Sequence, residues 1–391
     1  MSGVEISLSR SSQPRPQRLG LLLIVAIAVA MTLGLTMFGW RQSVLFLIGG
    51  LFGISLYQAS FGFASAYRRL FVYRDVNGVL AQVLMLAVAT LLFVPFLISG
   101  SFLGQPLEGA VAPVALQAAI GAFLFGIGMQ LGSGCACGTL YTIGGGSSGM
   151  VLTLVTFGIG SFWASLTGGL WATLPKLYPI TFVGLWGWAG AAIQLAVLGL
   201  IAFGLWQGRK ATSIAQPASP AYSLLYGPWS LVWGAIALAV LNWLTLLIAG
   251  RPWGVTWGFT LWTAKIAQLL GWNPATSPFW SQGFGAEALG NSVFADVTSV
   301  MNFGVILGAA LAATLAGRMA FKPPQSKLAV VAALLGGLMM GYGARLAFGC
   351  NVGAYFAGIA STSLHGWLWI GFALVGTGLG VKVRSWFGLS N

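Results

Sequence analysis

Charge is what this sequence has least of. Only 6% of its 391 residues are Asp, Glu, Lys or Arg, whereas a soluble domain carries about 25%, because its surface must face water. So few charges cannot coat a chain of this size, and a soluble globular fold is excluded. Acids are scarcest of all: Glu5, Asp75, Glu108, Glu287 and Asp296 are the full set, and they are scattered. That excludes a paired-carboxylate acid–base site. There is one histidine, His365, and there are three cysteines, Cys135, Cys137 and Cys350. No nucleophile–His–acid set and no phosphate-cradling Walker loop can be found, so ATP hydrolysis is excluded and an enzyme is not expected. A zinc site fares no better: Cys135 and Cys137 are separated by one residue, where structural zinc sites use about two to four. No metal and no cofactor are expected.

What the sequence has is apolar length. Hydrophobic residues make up 58% of the chain, in runs that suit a helix crossing ~30 Å of hydrocarbon with about 20 residues. Leu19–Trp40, Val79–Ile98, Val151–Trp171, Ile180–Leu205, Leu224–Ile248, Phe303–Ala316, Leu328–Met340 and Trp367–Gly380 read as spans or large parts of them. The expectation is an all-α polytopic membrane protein with about nine to eleven membrane-embedded helices, half-helices among them. Residues 1–18 form a polar N-terminal arm whose Arg10, Arg15 and Arg18 precede a first run too long for a signal-peptide core, so that run is read as a retained helix. The net charge of +13 points to basic cytoplasmic loops rather than to nucleic acid. Arg209 with Lys210, then Arg318, Lys322 and Lys327, then Lys382 and Arg384 mark three such segments, whereas Arg41, Lys176 and Arg251 do not sort with them. The expected location is the cell inner membrane, multi-pass in the lipid bilayer.

Residues 207–223 turn polar and proline-containing, which neither a helix nor a bilayer favours. They read as a cytoplasmic linker between a first membrane half, 19–206, and a second, 224–391. The halves share a pattern. Gly121–Cys135 lies on Gly336–Cys350 without a gap, matching at Gly121/Gly336, Gly126/Gly341, Gly128/Gly343, Leu131/Leu346, Gly134/Gly349 and Cys135/Cys350, with Gly138/Gly353 just beyond. Leu51–Gly62 is a weaker copy of Leu124–Cys135, in which Gly62 takes the cysteine position, and Thr256–Lys265 is a degenerate fourth. Duplication of this kind places transporter sites between repeats near the bilayer midplane. Whether the halves are inverted is left open by the sequence.

Each matched cysteine follows an apolar helix and enters a glycine-rich stretch, Gly132–Gly138 or Phe348–Gly353. Such a stretch breaks a helix, and broken backbone at membrane depth is tolerated only where it is buried in protein or lines a polar cavity. A half-helix starting at the break directs free N–H groups and a positive dipole end into that cavity, which favours an anion. Cys135 and Cys350, with Gly134 and Gly349 next to them in sequence, are therefore the candidate translocation residues, against the plainer alternative that the cysteines are small buried hydrophobes. Arg345 and Lys265 interrupt apolar runs with no acid close in sequence. They either supply positive potential for an anion or snorkel to an interface.

At Gly132–Tyr141, Met340–Cys350 and Ala360–Trp367 the sequence resembles the YeeE/YedE family of membrane proteins, linked to uptake of thiosulfate and related sulfur or selenium species. The resemblance runs from about Val44 to Arg384. It implies an hourglass-shaped helical protein in which half-helices meet at a narrow waist, where three cysteines pass the anion along by transient S–H hydrogen bonds. Cys135 and Cys350 fall on the second and third of those positions; the first falls on Gly62, with Cys137 a nearby thiol. The resemblance further implies a separate small cytoplasmic sulfur carrier of the TusA type as partner. Three functions are in contention: import of thiosulfate or a similar sulfur-containing anion, carriage of selenium species or another sulfur oxyanion, and a membrane sulfurtransferase or thiol-redox protein that forms a cysteine persulfide.

Overall fold

The computed structural model describes residues 16–209, 226–324 and 326–390. The expected polar arm, but for its last three residues, and the greater part of the polar linker lie outside the described residues. The protein is 76% helical. In chain order the helices are α1 (Arg18–Leu35), α2 (Trp40–Gln58), α3 (Phe63–Tyr73), α4 (Asn77–Ser99), α5 (Leu116–Leu131), α6 (Ala136–Gly144), α7 (Ser148–Leu166), α8 (Phe182–Trp186) and α9 (Trp188–Gln207), followed past the linker by α10 (Leu231–Ala249), α11 (Thr256–Leu269), α12 (Pro278–Ser281), α13 (Gly283–Gly290), α14 (Val297–Leu315), α15 (Lys327–Leu346), α16 (Ala357–Ala360) and α17 (Leu364–Arg384). A π-helical turn, Asn351–Phe356, leads into α16. Among the described residues, ten helical stretches are long and apolar enough to cross a membrane. The all-α polytopic expectation and its helix count both hold.

The spans differ from the apolar runs in instructive places. The run Ile180–Leu205 is broken at Gly187, whose φ of 56° ends α8 before α9 begins. The run to Trp171 stops as α7 at Leu166. Two full helices, α2 and α5, stand outside the apolar runs; α2 carries the buried polar residues Gln42, Ser43, Ser55 and Gln58, and α5 carries Gln130. Those side chains face protein rather than lipid. Gln42 Nε2, for example, donates to the carbonyl of Ala295 at 2.6 Å.

Without a hydrophobic drive between helices in lipid, packing depends on close approach of backbones at small residues. Gly121 on α5 and Gly343 on α15 show this reciprocally: a Cβ on Gly121 would stand 2.6 Å from the carbonyl oxygen of Gly343, and a Cβ on Gly343 would strike that of Gly121. The same contacts give the helix directions. Gly49 and Gly53 of α2 lie against Met301 and Val305 of α14, so these two run parallel. Gly337 and Gly341 of α15 lie against Thr153 and Phe157 of α7, again parallel, whereas α5 meets α15 antiparallel, with Gly121 at Gly343 and Gly128 at Gly336.

Four units of one design result: a long helix, a half-helix and a long helix. They are α2–α3–α4 and α5–α6–α7 in the first half, α10–α11–α14 and α15, Asn351–Ala360, α17 in the second. The face at which α9 ends and α10 begins is here termed the linker face. The first long helix of each early unit runs toward it, and that of each late unit runs away from it. The halves are therefore inverted relative to one another, which settles the question left open above. Two short ribbons, Ser101–Phe102 with Gln105–Pro106 and Pro113–Ala115 with Lys176–Pro179, cover the far face. Charge follows the same division. Arg68, Arg69, Arg74, Arg209, Arg318, Lys322, Lys327, Lys382 and Arg384 cluster at helix ends on the linker face, while Glu108, Glu287 and Asp296 sit at the far face with Arg41, Lys176 and Arg251.

Candidate functional site: half-helix starts and buried thiols

The half-helices begin at Gly62, Cys135, Val255 and Cys350, each the residue that caps the N-terminal end. Three of the breaks are made alike. Ser60, Ser133 and Phe348, two residues ahead of the cap, hold positive φ angles of 47°, 57° and 58°, an uncommon state for residues with a Cβ. The matched spacing turns each chain back into the membrane at the same step. In the fourth break Gly250, with φ 76°, ends α10 and a longer loop leads to Val255.

The backbone groups that each break frees are taken up by side chains from neighbouring helices, as membrane depth requires. Asn302 Nδ2 on α14 donates to the Val255 carbonyl at 2.9 Å, and the Trp253 N–H donates to Asn242 Oδ1 at 2.8 Å. Trp369 Nε1 on α17 donates to the Gly349 carbonyl at 3.1 Å. Arg384 donates to the Gln130 carbonyl and to Ser133 Oγ, and Gln130 Nε2 reaches the Ala64 carbonyl at 3.0 Å.

The break places the thiols together. Cys135, Cys137 and Cys350 are all buried and free of disulfides, and Cys135 Sγ lies 3.4 Å from Cys137 Sγ. The Cys350 sulfur caps its own half-helix, accepting from the Val352 N–H at 3.4 Å. Cys135 faces the Phe63 N–H, the first amide of α3, and is buried in the same core cluster as Cys350. Three of the four half-helix starts thus share one buried cluster with the two sulfurs. Tyr67, Tyr355 and Asn351 stand in the same cluster. Sequence reasoning missed these three, since nothing in their spacing distinguishes them from ordinary interior residues. Among the described residues, no group of three or more His, Cys, Asp or Glu side chains could hold a metal ion.

Of the other candidates, Gly134 and Gly349 flank the thiols as expected, and Gly349 adopts φ 150°. Gly62 sits at the floor of a small linker-face cleft of about 60 Å³ with Ser65 and Arg69. A far-face vestibule of about 630 Å³ leads down to Val255, Gly349 and Gly353, and Arg251 and Arg345 line it. The Arg345 guanidinium lies 4.2 Å from the Phe279 ring centroid and 5.7 Å from that of Trp257. Lys265 stands apart from this site. Its Nζ donates to the carbonyls of Leu289 and Asn291 at 2.8 and 2.6 Å, tying α11 to the loop after α13.

The arrangement offers an anion a vestibule with two arginines and aromatic walls on one face, and positive helix ends at its floor. The chain is 29% identical over 354 residues to the thiosulfate transporter TsuA of Spirochaeta thermophila, covering 84% of this chain and 95% of that one. It is 24% identical over 354 residues to the thiosulfate transporter TsuA of Escherichia coli, covering 87% and 92%. The probable transporter YedE of Escherichia coli is 34% identical over 160 residues, 41% of this chain and 37% of that protein. Residues 58–379 match the sulphur transport family, and with most of its length matched, the chain belongs to that family of membrane proteins, the YeeE/YedE family.

Proposed function

We propose that this protein carries thiosulfate, or a closely related sulfur-containing anion, inward across the cell inner membrane through a waist lined by the neutral thiols of Cys135 and Cys350. The observation that carries the reading is the pair of thiols placed at the starts of opposed half-helices. An anion there meets the positive ends of helices together with soft, weakly donating S–H groups. Strong binding would prevent release; several weak contacts in series permit passage. A thiolate would repel the dianion, so the reading requires the thiols in their protonated form. Cys137, in contact with Cys135, can exchange the S–H donor with it.

The basic linker face is assigned to the cytoplasm, since Lys and Arg accumulate on the untranslocated side. The far-face vestibule then opens outward, with Arg251 and Arg345 drawing the anion in. The same basic face is where a TusA-like sulfur carrier would collect the product. The expected outcome of expression in a host without thiosulfate uptake is growth on thiosulfate as sole sulfur source, lost with Cys135→Ala and with Cys350→Ala. Normal growth of both variants would refute the role of the thiols. Competition for uptake by selenium-containing anions separates the selenium reading, which the same site accommodates.

A further inference from the structure

Asn351 opens the half-helix after Cys350 and is fully buried. It is the one carboxamide among the described residues whose Oδ1 and Nδ2 are both buried without a hydrogen-bond partner. The other buried asparagines differ: Asn242 and Asn302 each engage backbone at the Val255 break. Tyr67, on the first turns of α3, is 1% exposed, and its hydroxyl also lacks a partner. Tyr67 has Asn351, Tyr355 and Cys135 as neighbours, near enough to Asn351 and Tyr355 for a polar interaction, yet its hydroxyl and the Asn351 carboxamide make no hydrogen bond of ordinary length and angle. None of these neighbours is a carboxylate. An interior polar group is normally paired, because leaving it bare forfeits the full cost of removing it from water. Two such groups beside the thiols, contributed by opposed half-helices, constitute an unfilled donor set.

Thiosulfate and its relatives have two chemically different ends, a soft terminal sulfur and a group of hard oxygens. Thiols suit the first; a carboxamide N–H and a phenol O–H suit the second. We infer that Asn351 Nδ2 and Tyr67 Oη are the oxygen-binding end of the waist, donating to the oxygens of a sulfur oxyanion while Cys135 and Cys350 meet its sulfur. The inference deepens the transport reading and rests on it. It makes the waist selective for anions that offer both ends, and it orients them in passage.

The test is uptake of radiolabelled thiosulfate and sulfite into proteoliposomes containing wild type, Tyr67→Phe, Asn351→Leu or Cys350→Ala, with thermal unfolding in detergent as a check on folding. Tyr67→Phe removes one oxygen atom and keeps the ring, so it remains informative should Asn351→Leu fail to fold. Loss of a hydrogen bond to a charged partner predicts a fall of about tenfold or more in initial rate for each variant. Sulfite, which has the oxygens but no terminal sulfur, should inhibit thiosulfate uptake correspondingly less well in the variants, a change that a merely structural role would not produce. Tyr67→Phe within about twofold of wild type in both rate and sulfite inhibition overturns the inference, even where Cys350→Ala is inactive and the thiol reading stands. If wild type carries sulfite and not thiosulfate, the substrate reading falls, and the sulfite flux of Tyr67→Phe decides the donor role by the same criterion. Wild type carrying neither anion overturns both.

Discussion

At Gly62 a side chain is missing where the repeat pattern calls for a thiol, and the space has been given to another group. A Cβ there would stand 2.5 Å from Ser65 Oγ and 3.6 Å from Tyr141 Oη. Ser65 Oγ in turn donates to the Gly62 carbonyl at 3.0 Å. Gly62 and Ser65 therefore form a coupled pair in which a hydroxyl fills the room of the first cysteine. Contacting residues of this kind are non-additive. Gly62→Cys alone should lower or leave unchanged the uptake rate, while Gly62→Cys combined with Ser65→Ala should exceed the single variant several-fold. An additive result in the uptake assay would dissolve the coupling. Arg345 makes a second residue-scale prediction. Its guanidinium over Phe279 and Trp257 has no acid partner and lines the vestibule. Because charge in a cleft acts mainly on capture, Arg345→Gln should raise the concentration for half-maximal uptake several-fold, with little change in maximal rate and a weaker salt dependence.

Among the elements, the half-helices were legible through their cysteines. Cys135 and Cys350 occupy equivalent positions in two gapless copies, and glycine-rich sequence at membrane depth implies a break. Thr256–Lys265 was legible only as a faint echo, yet α11 begins at Thr256 as the fourth half-helix. The long helices α2 and α5 were legible through the repeat copies rather than as apolar runs, and both are apolar enough to span. The glycine pairs that hold these helices together make a stability prediction. Gly343→Val would force a branched side chain against the Gly121 carbonyl. Overpacking of this sort costs about 1–3 kcal/mol, so the detergent-solubilised variant should unfold at a lower temperature than wild type.

For the whole molecule, the two faces carry unequal charge and unequal openings although the halves are inverted. A cysteine introduced at Arg209, on the linker face, should react with a membrane-impermeant maleimide only after permeabilisation of intact cells. One introduced at Lys176, on the far face, should react without it. The reverse pattern would invert the proposed direction of transport. By itself the sequence determined that the chain lives in a bilayer, that it contains repeats and that two cysteines sit at helix breaks, because composition, span length and glycine placement are local and follow from the solvent. Only the tertiary structure decided that the halves are inverted, that Lys265 is anchored away from the waist, and that Tyr67 and Asn351 stand beside the thiols without partners. Those facts depend on which helix lies against which, and in lipid that choice is made by close backbone contact at small residues, a property of matched surfaces that no single stretch of sequence displays.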